Sequence, residues 1–235
     1  MAGRNRRLKI LRPAGLAAVV AWSLAGCSGS SAVSGDQDPL GDVYRVEIEA
    51  CAGINKQRAT AMTVADGLVA TAAHSLETAR GAVLRNAAGA EVAAEVVYLD
   101  PDRDIALLAI EPSGNNVFVL AQADEGAAVT IRTYASPDGI EIKDGTVLRL
   151  VSATLDGVGR RQALELAVVI DLGDSGAPVI DGDGNAVGMV FASSRNGDRG
   201  WAVAAGELET ALADYGDPSD PEPINRCKSE PLPDP

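Results

Sequence analysis

Asp171-Leu172-Gly173-Asp174-Ser175-Gly176-Ala177-Pro178 is a run of small and turn-forming residues between two apolar segments. A serine placed there is displayed rather than buried. Glycine on either side lets the backbone adopt left-handed dihedrals, so that successive N–H groups can turn inward around one small anionic volume beside the hydroxyl. Acyl transfer needs this arrangement, because a serine is a weak nucleophile and its tetrahedral oxyanion requires donors placed where charge develops. The N–H groups of Gly173 and Ser175 are the expected donors. Gly, Asp and Ser are also what an ordinary surface turn uses, so the octapeptide alone leaves both readings open.

The chain contains a single histidine, His74, in Thr71-Ala72-Ala73-His74-Ser75, directly after the strand-like run Gly67 to Thr71. Histidine can take a proton from a serine and return it to a leaving amine near neutral pH, although a hydrogen-bonded structural histidine is the alternative. Asp104 opens the continuous apolar run Ile105 to Ile110. Its competitors are Asp100 and Asp102, but Asp104 alone is joined directly to the apolar run, where a carboxylate must find a partner such as an imidazole N–H.

With His74, Asp104 and Ser175 in that order, the chain resembles the trypsin-like (chymotrypsin-fold) serine proteases. The motifs that carry the resemblance are Thr71-Ala72-Ala73-His74, Asp104-Ile105-Ala106-Leu107-Leu108 and Gly173-Asp174-Ser175-Gly176-Ala177-Pro178. The order separates this family from subtilisins and α/β-hydrolases. The resemblance covers roughly residues 43 to 214. The ending, Gly188 to Ala192 followed by Gly200 to Val203 and a short helix, looks most like envelope-anchored periplasmic proteases of actinobacteria and, more distantly, HtrA protease domains. It implies an all-β fold of two six-stranded antiparallel β-barrels with a short C-terminal helix. It also implies a cofactor-free serine endopeptidase acting on protein or peptide substrates, with His74, Asp104 and Ser175 catalytic and Gly173 and Ser175 forming the oxyanion hole. By the same resemblance Val169 and Ile170 form the pocket floor, Phe191, Ala192 and Ser193 a substrate-pairing edge, and Gly200 and Trp201 a pocket wall. With no acid at Val169, a small or medium apolar residue is expected before the scissile bond; Asp171 is the exception if it turns inward.

Three departures from the family pattern matter. Arg58-Ala59-Thr60-Ala61-Met62 stands where many relatives carry a Gly-Ser-Gly-Phe-like strand, and it is expected to alter packing near the histidine loop without touching the triad. There is no Ile/Val-Val-Gly-Gly start to supply a new N-terminal amine for Asp174, so another group must hold that carboxylate. No cysteine flanks His74. The missing activation device motivates a second reading, a latent or inactive protease-fold binding module at the cell envelope; a third is an esterase with the same triad.

The pattern of short runs agrees with barrels. Alternating or apolar segments near 43–50, 60–64, 67–72, 82–86, 91–99 and 105–110, divided by Gly, Asn and Asp, read as one barrel over about 43–110. After the break at Glu111 to Asn116, a second series near 117–121, 127–134, 146–155, 162–169, 177–180 and 186–192 reads as another, over about 117–204. Asp181-Gly182-Asp183-Gly184-Asn185 has acidic or amide groups at alternate positions, but Ala186 and Ala192 stand where a calcium loop needs Gly and Glu, so it reads as a hairpin turn. No metal site is expected. Ala205 to Tyr215 has helical spacing, and the Pro-rich tail 216–235 cannot continue it.

The 235 residues carry a net charge of −13, which disfavours nucleic acid and anionic headgroups as partners. Met1 to Pro13 is basic and Gly15 to Leu24 apolar but too short to span a bilayer, so residues 1–26 read as a signal peptide. The peptide ends in Leu24-Ala25-Gly26-Cys27, which looks like a bacterial lipobox with Cys27 as the lipidated first mature residue; ordinary secretion is the alternative. Residues 27–42 read as a flexible tether with a reach of about 20 Å, holding the 43–215 domain near a membrane surface on the extracytoplasmic side. In such an oxidising compartment Cys51 and Cys227 are expected to pair, the alternative being two free thiols.

Overall fold

The computed structural model describes residues 41–50, 56–76, 79–112, 114, 116–155, 158–194 and 197–216. The expected signal peptide, Cys27 and most of the tether, Cys51, Cys227 and almost all of the tail lie outside them. Gly41 and Asp42, read as the end of the tether, are already fastened: Thr63 N donates to the Asp42 carbonyl at 3.0 Å and Asp42 N to that of Asn116 at 2.8 Å.

The first half of the chain forms β1 (Val43–Ala50), β2 (Lys56–Ala65), β3 (Leu68–Ala72), β4 (Ala79–Arg85), β5 (Glu91–Val92), β6 (Ala94–Asp100) and β7 (Ile105–Ile110). They make one antiparallel sheet in the order β5-β4-β1-β2-β3-β7-β6. Val46, Ile48, Val69, Leu84 and Leu108 pack with Val92, Val96 and Leu99 from the two ends of the sheet, so it curls around its own interior. The run read as one strand over 91–99 is divided into β5 and β6, so the sheet has seven strands where six were expected. β3 and β7, paired side by side next to the edge strand β6, are almost wholly buried and read as short, mainly apolar runs because neither face meets water.

The second half forms β8 (Ala128–Ser136), β9 (Gly139–Leu155), β10 (Val158–Ala167), β11 (Pro178–Ile180), β12 (Ala186–Ser193) and β13 (Gly200–Ala204). These close into a six-stranded barrel, β10-β13-β12-β11-β8-β9. Two sequence expectations shift here. Residues 117–121 make only a single bridge, Leu120 to Ala186, because their backbone joins the two halves instead: Phe118 N donates to the Thr63 carbonyl at 3.1 Å and Ala186 N to that of Val119 at 2.8 Å. The sixth strand is therefore β13. The run 146–155 also begins earlier, as β9 pairs first with β8 through 139–146 and then with β10. The half-polar alternation of Ile140 to Asp144 and the interior Gly145 hide that extension in the sequence. A Cβ at Gly145 would lie 3.1 Å from Val168 Cβ, a contact that requires Val168 to give way.

A third core joins the halves, with Met62, Ile105 and Leu107 from one side and Tyr134, Met189, Phe191 and Val203 from the other. It is closed by Leu208 and Ala211 of helix α1 (Ala205–Tyr215). Arg103, in the turn before β7, ties that helix down through Glu207 and Asp214, at 3.2 and 3.1 Å.

Candidate active site

Strand register brings the first two residues of the site together. β3 pairs with β7 so that Ala72 faces Ile105, and the turn after β3 therefore lies against the turn before β7. His74 sits in a single 3₁₀ turn, Ala73–Leu76. Asp104 has a left-handed backbone, φ 61°, a conformation Asp tolerates better than most residues. Its carboxylate accepts the His74 backbone N–H at 2.7 Å through Oδ1 and the ring Nδ1–H at 2.8 Å through Oδ2. This bond assigns the proton to Nδ1 and turns Nε2, as an acceptor, toward Ser175 Oγ at 3.2 Å. Asp104 is 1% exposed, and neither Asp100 nor Asp102 takes its place: Asp100 is bonded to Arg103 at 2.5 Å and Asp102 is exposed.

Ser175 is carried by the loop before β11 and is held by both halves of the fold. Thr60 N donates to the Ser175 carbonyl at 2.8 Å, and Gly176 N to that of Val190 at 2.7 Å. Gly176 has φ 88°, and a Cβ there would lie 1.9 Å from the Thr60 carbonyl oxygen. Glycine is obligatory at that contact. Thr60 also donates its hydroxyl to the Gly173 carbonyl at 3.0 Å. The segment 58–62, expected to leave the triad untouched, thus grips the backbone on both sides of Asp174. Gly173 takes φ 101°. Among the described residues, neither its N–H nor that of Ser175 donates to a protein acceptor, and both residues line the cleft.

Asp174 is buried at 1% exposure and accepts three donors: Lys143 Nζ at 2.7 Å and Asp171 N at 2.8 Å on Oδ2, and Thr133 Oγ1 at 2.7 Å on Oδ1. Burial works against the Lys143 charge. Its hydrogen bonds to Asp171 and Asp174 more than offset that, and hold the ammonium above the ordinary lysine value. Asp171 also lines the cleft, and its carboxylate is paired with this lysine at 2.7 Å. A second buried cation, Arg161 of β10, places Nη1 3.5 Å from Asp104 Oδ2 and its guanidinium 5.1 Å from the centre of the Phe191 ring. Lys143, Thr133, Thr60 and Arg161 were not found as site residues by sequence reasoning, and no local signal in the sequence marks them.

His74 and Ser175 open onto a cleft of about 940 Å³, lined also by Ile170, Asp171, Leu172, Phe191, Ala192 and Ser193, while Asp104 stays buried behind them. Val169, expected on the pocket floor, is 55% exposed and lies outside the cleft, because the extended segment 168–170 alternates and Val168 and Ile170 take the inward positions. Ile170 lies over Gly200, whose Cβ would be 2.4 Å from Ile170 Cγ1. Trp201 is not on the cleft wall. It faces a neighbouring depression of about 580 Å³ that shares Phe191 and Ala192 and includes Glu165. The Asp104–His74–Ser175 chain can pass a hydroxyl proton to the imidazole while the two unspent N–H groups receive an oxyanion.

A sequence profile described as a trypsin-like peptidase domain matches residues 59–189, a span that includes His74, Asp104 and Ser175. The serine protease Rv3671c of Mycobacterium tuberculosis (strain H37Rv) is 30% identical over 132 residues, 52% of this chain and 33% of that protein. The matched part thus spans about a third of the curated relative's length. The crystal structure of the Rv3671c protease of M. tuberculosis in its active form superposes with a TM-score of 0.71 at 22% identity, covering 81% of this chain and 87% of the other. The HtrA-type protease AlgW, solved with a tripeptide, gives 0.64 at 20% identity over 74% and 60%.

The depression beside the cleft yields a pH prediction. Hydrogen bonds from Arg149, at 2.6 Å, and from Arg199 hold the buried Glu165 carboxyl below its ordinary value of 4.5, against the opposing effect of burial. A depressed folded value contributes stability that is complete above about pH 4.5 and is lost as pH falls through the lower folded value. Urea midpoints measured from about pH 5 down to about pH 3 should therefore fall less steeply for Glu165→Gln than for the wild type. Equal slopes would show that this cluster contributes nothing to acid sensitivity.

Proposed function

Because the chain belongs to the trypsin-like peptidase family, we propose that it is a serine endopeptidase that cleaves proteins or peptides through an acyl-enzyme on Ser175. The observation that carries this reading is the unbroken hydrogen-bonded chain Asp104–His74–Ser175 at the edge of the cleft. Ser175 Oγ attacks the scissile carbonyl as its proton passes to His74 Nε2. Asp104 holds the ring in the required tautomer and stabilises the imidazolium. The tetrahedral oxygen is received by the N–H groups of Gly173 and Ser175. His74 then gives its proton to the leaving amine, and the same groups run in reverse with water to free the acid. Ser175→Ala should abolish turnover and labelling by a fluorophosphonate probe. Asp104→Asn should lower kcat by about 10⁴, since it favours the wrong tautomer. A wild type that neither labels nor turns over would overturn the assignment.

The cleft supports an apolar preference before the scissile bond. Ile170 lines the cleft, and Asp171, which lines it too, has its carboxylate neutralised by Lys143. An apolar floor offers no counter-charge to a lysine or arginine. Cleavage of a peptide library should select small or medium apolar residues at that position, and a profile dominated by Lys or Arg would refute the pocket reading.

The proposed setting is extracytoplasmic, with Cys27 lipidated and the residues after it serving as a tether. The support is the sequence alone: a basic segment, a short apolar run, and Leu24-Ala25-Gly26-Cys27 where that run ends. Diacylation gives the two chains that stable anchoring requires. Cys27→Ser should move the protein from the membrane fraction to the soluble one, or leave it unprocessed; wild type that is fully soluble and carries no lipid mass would exclude the anchor.

A further inference from the structure

We propose that Lys143 is a positioning residue that supplies, from within the folded chain, the cation that fixes the oxyanion loop through Asp174. The inference rests on the reading of Ser175 as the nucleophile. Asp174 stands between the two residues whose N–H groups receive the oxyanion, and it is buried. A buried carboxylate without a partner is costly, and removing its counter-ion alone is worse than removing both charges. In the digestive enzymes that this chain resembles, a newly cut N-terminal amine meets that need. Here Lys143 meets it from β9 and Thr133 helps from β8, two strands paired side by side in the closed barrel.

The geometry explains how the loop is held. Asp174 Oδ2 accepts both the Lys143 ammonium and the Asp171 backbone N–H, so the cation also closes the turn that carries Gly173. On the other side Ala177 N donates to the Asp174 carbonyl at 2.9 Å, which fixes the exit toward β11. Between these bonds the N–H groups of Gly173 and Ser175 are left without protein acceptors among the described residues. The second acceptor of the Lys143 ammonium is Asp171, whose side chain is 69% exposed. Its ammonium has only 11% of its side chain in water, so it cannot be replaced cheaply by solvent. Competence at the oxyanion loop is therefore established on folding, with no cut amine required.

The test uses the full chain and compares wild type with Lys143→Met. Two readouts respond to oxyanion geometry and not to substrate docking: kcat against KM for a peptide substrate, and affinity for a peptide aldehyde, whose hemiacetal with Ser175 places an oxygen in the same site. Lys143→Met should lower kcat by about 100-fold, comparable to the loss of one oxyanion donor, with KM nearly unchanged. Aldehyde affinity should fall by a similar factor. If that variant does not melt cooperatively, Lys143→Met combined with Asp174→Asn, which leaves no unpaired buried charge, carries the same measurements and should show the same direction of change. Wild-type kcat and aldehyde affinity in a folded variant, or a loss confined to KM, overturn the inference while leaving the serine protease reading intact. A wild type that turns over nothing overturns both.

Discussion

The pairing of β3 with β7 is the constraint on which the site depends. Two short strands, apolar but for the buried Thr71, have almost no solvent face, so their register is set by burial on both sides, and a slip would carry polar turn residues into the interior. With Ala72 opposite Ile105, the residues just outside the pair must face each other, and these are Ala73-His74 and Asp104. The 2.8 Å bond between the imidazole and the carboxylate is thus a consequence of strand pairing, with the left-handed turn at Asp104 completing it. The serine arrives from the other barrel. Its position is fixed where its loop meets β2, by the Thr60 bond to its carbonyl and by the close approach of Gly176.

A second constraint is electrostatic. The chain is strongly acidic, with a net charge of −13, yet three of its carboxylates are buried close to the cleft. Each is met by a cation from the second half of the chain: Arg161 near Asp104, Lys143 on Asp174, and Arg149 with Arg199 on Glu165. Three of these cations stand on β9 and β10, the longest strands of the closed barrel, where the backbone is held on both sides. Burying a charge is tolerable only with such partners. Pairing on rigid strands adds orientation, because each carboxylate then offers its remaining lone pairs in a fixed direction. For Asp104 that direction leads to His74, and for Asp174 to the turn before the serine.

What was legible in the sequence follows the same division. Ser175, His74 and Asp104 lie in local motifs whose residue types state their backbone needs: glycines around the serine, an apolar run after the aspartate, a solitary histidine after a strand. The strands β3, β7 and β12 were legible as continuous apolar runs. Lys143 was not, because its strand alternates polar and apolar residues across a glycine, and nothing local says that a lysine reaches a loop about thirty residues later. Thr60 was misread for a related reason: its segment differs from the family pattern in side chains, while its contribution is a backbone N–H and a hydroxyl that become meaningful only when the barrels meet. Val169 and Ile170 were both assigned to the floor by resemblance, which cannot tell which of two adjacent residues in an extended segment faces inward. Trp201 was assigned to the cleft wall, yet Phe191 and Ala192 stand between the cleft and the depression it faces.

The division of groups between the barrels makes the interface between them part of the chemistry. One barrel contributes the imidazole and its carboxylate, the other the hydroxyl and the N–H groups proposed to receive the oxyanion, and the 3.2 Å contact between Nε2 and Oγ is made across the seam. That seam is filled by Met62, Leu107, Tyr134, Met189 and Phe191, with few aromatic rings to spare in a chain that has only two Phe and two Trp. A packed core transmits small displacements instead of absorbing them. A shift of about 1 Å between reacting groups can cost about 100-fold in rate, a change that needs far less energy than unfolding either barrel. Loosening the seam therefore disturbs proton transfer from Ser175 to His74 before it disturbs the fold, and it reaches the His74–Asp104 bond, which both partners make from one barrel, only through the contact of Arg161 with Asp104.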